Sequence, residues 1–204
     1  MKRFITAALL AASTFLIAPA SHAGYFYFFT PLSGAAEAPP NASPGTGSTV
    51  VQFDTTLHTL TVDISFSGLL GLTSASHIHC CTAVPGVSNV GIATVTPNFT
   101  GFPLGVTSGT YHNVFDTSIA AGFNTAFVTA NGGTASSAET ALLAGLLGGR
   151  AYLNIHTTSN PLTGNPGVAG GEIRGFLAAP EPASVALLTV GLLGLGAART
   201  RIRR

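Results

Sequence analysis

Hydrophobic and polar side chains alternate along several short segments of the chain. Residues 59–67 show the pattern most clearly, because Leu60, Val62, Ile64 and Phe66 are each separated by a polar residue. Successive side chains of a strand point to opposite faces of the sheet. This segment therefore predicts a strand with one buried face and one solvated face.

Other short segments are also typical of strands, since they are rich in β-branched and aromatic residues and end at turn-forming residues. These segments are residues 24–30, 48–54, 74–80, 90–96, 150–157 and 171–178. The strand at residues 48–54 is expected to form a hairpin with the strand at residues 59–67. Residues 32–47 contain several Pro and Gly residues and are expected to form an ordered loop.

A single short helix is expected towards the end of this region. Ser136 and Glu139 have the spacing of a capping box, and the apolar segment that follows them ends at Gly148 and Gly149. Short strands at these spacings with one short helix indicate an all-β fold, a Greek-key β-sandwich or barrel.

The N-terminus has the pattern of a secretory signal peptide. Two basic residues precede an apolar stretch at residues 4–18, and a small-residue cleavage site follows at residues 21–23. We therefore expect residues 1–23 to be removed, so that Gly24 begins the mature chain.

The C-terminus combines three features in a fixed order. Pro180, Glu181 and Pro182 come first, and an uncharged apolar run follows at residues 183–198. A basic cluster ends the chain, and it consists of Arg199, Arg201, Arg203 and Arg204. This order predicts a C-terminal hydrophobic helix that stops in the inner membrane with its arginines in the cytoplasm.

The same order resembles the PEP-CTERM sorting signal of Gram-negative bacteria that produce exopolysaccharide. The resemblance implies that an exosortase-type enzyme cleaves the chain near the Pro-Glu-Pro sequence, so that the hydrophobic tail is removed as in a GPI signal. The expected organisation is a signal peptide at residues 1–23, a β domain at 24–179 and a sorting tail at 180–204. We therefore expect export, transient tethering to the inner membrane, and delivery to the cell surface.

The charged residues are unevenly distributed along the chain. The formal net charge of +1 comes from the two ends, because residues 24–179 contain six carboxylates and only two basic residues, Arg150 and Arg174. A mildly acidic domain argues against nucleic-acid binding, which relies on clustered Lys and Arg.

The only two cysteines, Cys80 and Cys81, are adjacent. Export would place them in a compartment that permits disulfides. Three states fit the sequence: two thiols, a bond between the neighbours, or a bond to another chain.

Three histidines form the strongest candidate for chemistry. His77 and His79 point to the same side of a strand, and His156 shares the polar face of another strand with Asn154. If these strands are neighbours, the three imidazoles meet, and three nitrogens with an open position suit copper or zinc. The alternative is structural, with each histidine hydrogen-bonded to the backbone of a loop.

Five segments, taken in order, resemble the CHRD domain, a module named from chordin. They run from Leu32 through Glu37 to Pro40, from Gly45 to Gly47, from Gly68 through Ser76 to His79, from Tyr152 to Thr157, and from Gly171 through Glu172 and Arg174 to Gly175. The resemblance implies an extracellular β-rich domain with no established enzymatic activity. We therefore expect a binding or structural module of the bacterial envelope or extracellular matrix, with exopolysaccharide or envelope proteins as partners.

Residues 71–79 and 149–156 also resemble the copper-ligand segments of Cu/Zn superoxide dismutase, which is itself a Greek-key sandwich. The resemblance implies that His77, His79 and His156 occupy the positions of three copper ligands. Residues 80–90 depart from that family, since they lack the His and Asp residues of a zinc loop. The second hypothesis is therefore a copper- or zinc-binding domain related to this enzyme.

Glu37, Glu172 and Arg174 are expected to form a structural charge pair. Glu172 and Arg174 are two residues apart in the last predicted strand, so Arg174 is expected to pair with Glu172 or with Glu37. Such a pair would join the first loop to the last strand. His58 is expected at a hairpin turn and His112 in a loop, both solvated.

Overall fold

The structure is a computed structural model that describes residues 24–179. Its strands are β1 (Tyr25–Ser33), β2 (Thr46–Asp54), β3 (Thr59–Ser67), β4 (Leu72–His79), β5 (Gly109–Asp116), β6 (Tyr152–Thr158) and β7 (Ile173–Phe176). Its helices are α1 (Thr125–Ala130) and α2 (Ala135–Leu147), with 3-10 turns at Gly34–Ala36 and Ala120–Gly122. The predicted signal peptide and sorting tail lie outside the described residues. Within residues 24–179, no helix is long and apolar enough to cross a membrane.

The strands form one curled, antiparallel sheet of seven strands in the order β4-β6-β7-β1-β2-β3-β5. The prediction of a mostly β protein is therefore confirmed. Strands β2 and β3 form the predicted hairpin, and the apolar positions of β3 are buried while the polar positions between them are partly or fully exposed. This alternation is the expected consequence of side chains that point to opposite faces.

One face of the sheet carries the hydrophobic core. Phe28, Val51, Val62 and Leu153 come from four different strands and are fully buried on this face. Helix α2 packs its own buried residues, Ala138, Leu142 and Leu146, into the same core. Their spacing at i, i+4 and i+8 places them on one stripe of the helix.

The strand predicted at residues 90–96 is wrong. This segment makes only isolated bridges, from Ile92 to His79 and from Thr94 to Phe123. Its backbone instead bonds to the end of β4, where Ala93 donates to the carbonyl of Ile78. Residues that favour strands therefore occur here without forming a continuous ladder of strand hydrogen bonds.

Strand β5 was not predicted, and the expectation that His112 lies in a loop is wrong. Tyr111 and Phe115 point to the core, but Asn113 lies between them and interrupts the apolar alternation. The Asn113 side chain is accommodated because its amide donates to the carbonyl of Thr100 at 3.1 Å.

The single predicted helix corresponds to α2, but α1 was not predicted and the predicted cap of α2 is wrong. Thr134 caps α2 and forms a reciprocal capping box with Ser137. Glu139 is buried instead, and it accepts hydrogen bonds from Thr117 at 2.7 Å and from His58 at 2.9 Å. The sequence pattern at Ser136 was therefore two residues out of register with the real cap.

Candidate metal centre

The pairing of β4 with β6 brings the three predicted histidines together. In this antiparallel pair His77 lies opposite Asn154, and Ala75 lies opposite His156. His77 and His79 therefore share a face with His156, whereas Ile78 is fully buried in the core on the other face. One ring nitrogen from each histidine lies within 4.8 Å of the other two.

Each imidazole is held by the backbone of a different loop segment. His77 Nε2 donates to the carbonyl of Pro97 at 2.7 Å, His79 Nδ1 to that of Val90 at 2.7 Å, and His156 Nδ1 to that of Ala169 at 2.8 Å. A carbonyl only accepts hydrogen bonds, so these ring nitrogens carry the protons.

The other ring nitrogen of each histidine is buried and has no hydrogen-bond partner. These atoms are His77 Nδ1, His79 Nε2 and His156 Nε2. Buried polar atoms are normally paired, so three unpaired acceptors in one cluster need a reason. A metal ion would supply one, as would a buried water. The hydrogen bonds to loop carbonyls match the metal case, because metal-bound histidines typically donate their second ring N–H to a carbonyl or carboxylate.

Burial favours the neutral form of all three imidazoles. Burial lowers the pKa of His77 to about 4, although its hydrogen bond to Pro97 works in the opposite direction. Burial also lowers the pKa values of His79 and His156. Neutral imidazoles keep the lone pairs that a metal requires.

The ring nitrogens lie near one another but farther apart than ligands of one ion. With metal–nitrogen bonds of about 2.0 Å, three ligand nitrogens are about 3.3 to 3.5 Å apart. The separations here extend to 4.8 Å, so binding of one ion by all three requires the rings to move closer together. Among the described residues, no Cys, Asp or Glu joins this cluster, so a fourth coordination position is open.

The comparison with known families covers nearly all of the described chain. Residues 28–177 match the family model of the CHRD domain. The chain belongs to the CHRD domain family. No curated protein and no solved structure matches this CHRD chain.

An aromatic and cationic stack supports the histidine cluster of this CHRD domain and was missed by the sequence reasoning. The rings of His79 and Tyr152 stack with centroids 4.8 Å and planes 7° apart. The guanidinium carbon of Arg174 lies 4.7 Å from the centroid of the same Tyr152 ring. Tyr152 has the strand parity of His156 and lies opposite His79, so the pattern of alternation did contain a signal.

The ion pair of Arg174 is made with Glu37. The Nε atom of Arg174 lies 3.7 Å from Glu37 Oε2, and both side chains are buried. The guanidinium also donates to Asn89 Oδ1 at 2.6 Å and to the carbonyl of Ser88 at 3.2 Å. Burial raises the pKa of Glu37 to about 7, although the charge of Arg174 opposes that shift.

Glu172 serves a different set of partners. It lies just before β7, and its carboxylate accepts hydrogen bonds from Ser43 at 2.6 Å and Thr157 at 2.7 Å. The backbone N–H groups of Leu70 and Gly71 donate to it as well, at 2.6 and 3.0 Å. Burial alone would raise the pKa of Glu172, but these four donors together lower it.

The remaining predicted residues lie outside the histidine cluster. Cys80 and Cys81 are joined by a disulfide between neighbours, which is one of the three states that fit the sequence. His58 contacts Glu139, as described above, and His112 contacts Asp63 at 2.7 Å. Both histidine side chains remain substantially exposed, at 49% and 65%.

Proposed function

We propose that this protein is an exported binding or structural module of the bacterial envelope or extracellular matrix. The observation that carries the proposal is the match of residues 28–177 to the CHRD domain family. The signal-peptide and sorting patterns at the two ends of the sequence support export and delivery to the surface.

The proposed partners follow from the C-terminal pattern. An exosortase-type enzyme would recognise Pro180-Glu181-Pro182 while the apolar run holds the chain in the inner membrane. After cleavage, the domain would contact exopolysaccharide or envelope proteins at the cell surface.

Two deletions test this proposal in the native host. Removing residues 180–204 should leave export intact but release the protein from the surface into the medium. Removing residues 2–23 should keep the protein inside the cell with its tail intact, which separates entry from sorting. Unchanged surface retention without residues 180–204 would disprove the sorting claim.

Metal binding is a second candidate function, and one specific observation favours it. Three buried, unpartnered ring nitrogens converge from His77, His79 and His156. Three neutral nitrogens with an open position suit copper or zinc. The likeness of residues 71–79 and 149–156 to the copper-ligand segments of Cu/Zn superoxide dismutase supports this candidate and a related fold.

Metal analysis of the purified full-length chain tests this candidate. After loading with copper or zinc and removal of free ion, the native protein should retain about one ion per chain, as one cluster predicts. The variant His77→Ala/His79→Ala/His156→Ala should retain almost none. The matched control His58→Ala/His112→Ala removes two exposed histidines and should bind like the native protein. Equal retention by the triple variant would refute a site at this cluster.

A further inference from the structure

The histidine cluster presents a ligand set without any negative charge. Imidazole binds a metal as a neutral ligand, and His77, His79 and His156 are each oriented by a backbone carbonyl rather than a carboxylate. Among the described residues, no acidic side chain joins the cluster. An ion bound here would therefore keep its full charge within a site whose ring nitrogens are buried.

The buried charged side chain that is connected to the cluster by ring stacking is Arg174, which is positive. Arg174 is only 2% exposed, and its guanidinium lies over Tyr152, whose ring stacks on His79. Only the Tyr152 ring separates this guanidinium from His79, so its charge disfavours an added positive charge at the cluster. The partner of Arg174 offsets this effect only in part, because Glu37 Oε2 lies 3.7 Å from Arg174 Nε, beyond direct hydrogen-bond distance.

These conditions penalise a divalent ion more than a monovalent one. The cost of moving an ion out of water grows with the square of its charge, and its repulsion from Arg174 grows in direct proportion. A divalent ion in a buried site is ordinarily compensated by anionic ligands. The described cluster offers three neutral nitrogens instead.

The number of ligands also favours a monovalent ion. Zinc in proteins is almost always four-coordinate, so here it would need water or an exogenous anion as its fourth ligand. Zn(II) and Cu(I) have the same filled d shell, so neither is held to a fixed geometry by its d electrons. The two ions differ in charge, and the lower charge of Cu(I) lets it remain stable with only three neutral nitrogen ligands.

We propose that the metal of this site is monovalent copper, Cu(I), held by His77 Nδ1, His79 Nε2 and His156 Nε2. The inference rests on the metal-binding function proposed above and adds the identity and charge of the ion. Arg174 is a positioning residue for the His79 ring through Tyr152, and its charge biases the site against divalent ions.

Competition for metal on the full-length chain tests the inference. Cu(I), supplied anaerobically as its acetonitrile complex, Cu(II) and Zn(II) would each be titrated against a chromophoric chelator of known affinity. No thiol reductant is used, since it could reduce the Cys80–Cys81 bond. We expect Cu(I) to bind at least about 100-fold more tightly than Zn(II), and also more tightly than Cu(II).

Variants of Arg174 separate the charge effect from packing. Arg174→Gln removes the charge and should increase Zn(II) affinity about tenfold relative to Cu(I). Arg174→Lys retains the charge and should keep the native preference. Circular dichroism checks the fold of both variants, and the native titrations decide the question if either variant does not fold.

The outcomes distinguish this inference from the proposal on which it rests. Zn(II) or Cu(II) binding that matches or exceeds Cu(I) binding, and that is lost in the triple histidine variant, would overturn the Cu(I) assignment while leaving metal binding intact. If none of the three ions binds in a way that depends on the histidines, both proposals fail.

Discussion

Two buried carboxylates, Glu37 and Glu172, lie in environments that shift their pKa values in opposite directions. Burial raises the pKa of Glu37 to about 7, since one Arg174 contact does not replace the water that the carboxylate has lost. Burial acts on Glu172 in the same direction, but four hydrogen-bond donors outweigh it and lower the pKa. The number of donors, rather than burial itself, therefore decides the charge of each group.

The native protein should lose stability as the pH rises, because Glu37 ionises in a buried site. Glu37→Gln should abolish this loss, because the amide does not ionise. Because the folded state raises this pKa, the stability it contributes is present below about pH 4.5 and is lost as the pH rises through about 7. The free energy of unfolding of the variant, taken relative to that of the native protein, should therefore be about 2 kcal/mol greater at about pH 8 than at about pH 5.

Urea unfolding of both proteins at the two pH values measures this gain. Asp116→Asn removes an exposed carboxylate and controls for the change in net charge. Hydrogen bonds from Ser118 lower the pKa of Asp116, so it is ionised at both pH values and its effect should be the same at each. A difference between Glu37→Gln and native protein that is the same at both pH values would contradict the prediction.

Glu172→Gln should destabilise the protein by about 3 kcal/mol, because an amide cannot accept all four hydrogen bonds and turns an N–H group towards a donor. The affected segments are the loops that carry Ser43 and Leu70, together with Thr157 of β6. Equilibrium unfolding in urea gives the change in free energy. A loss below about 0.5 kcal/mol, typical of a surface substitution, would show that the network is not structural.

At the scale of elements, the register of β4 against β6 positions the histidine cluster. A shift in register between Thr73 and Ala75 sets the pairing that places Ala75 opposite His156. Side chains alternate with a period of two, so a slip by one residue would turn His156 to the other face. The local irregularity and the position of the histidine cluster are therefore linked.

Helix α2 should not tolerate Ala at position 145, although Ala is ordinarily favoured over Gly in a helix by about 1 kcal/mol. A Cβ atom at Gly145 would collide with the sulfur atoms of Cys80 and Cys81. We expect Gly145→Ala to destabilise the protein by about 2 kcal/mol in thermal or urea unfolding. Thr140→Ala, at an exposed position of the same helix, should change stability by less than about 0.5 kcal/mol. Stabilisation by Gly145→Ala would show that the helix is free to move away from the disulfide.

At the scale of the whole molecule, one face of a single sheet has two different environments. Tyr27 and Phe29 of β1 have the parity of Ser33, which lies opposite Arg174, yet they are 49% and 53% exposed. On β4, β6 and β7 the same face is covered by loops whose carbonyls anchor the histidines. The covered half forms a buried polar layer separate from the hydrophobic core.

Metal binding should stabilise the whole domain, because the histidines join two strands and three loop segments that separate on unfolding. With free Cu(I) at 100 times its dissociation constant, the expected gain is about 2.7 kcal/mol. Thermal unfolding with and without Cu(I) measures it, and the His58→Ala/His112→Ala control should gain equally. An equal gain in the triple histidine variant would place the effect outside the cluster.

Sequence reasoning succeeded where the pattern is local and uninterrupted. The alternation in β3 and the two-residue spacing of His77 and His79 were sufficient to predict the strands and their faces. It failed for β5, where Asn113 breaks the alternation and finds its partner in a distant loop. It also misassigned Glu139, because a capping pattern does not reveal that the side chain is buried against Thr117.

The sequence by itself determined the mostly β character, the hairpin of β2 and β3, and the shared face of His77 and His79. These features follow from strand geometry, which repeats every two residues and needs no distant partner. Only the tertiary structure decided that β4 pairs with β6 and that Arg174 contacts Glu37. It also decided which ring nitrogen of each histidine is left unpaired, because that depends on carbonyls that folding brings from remote loops.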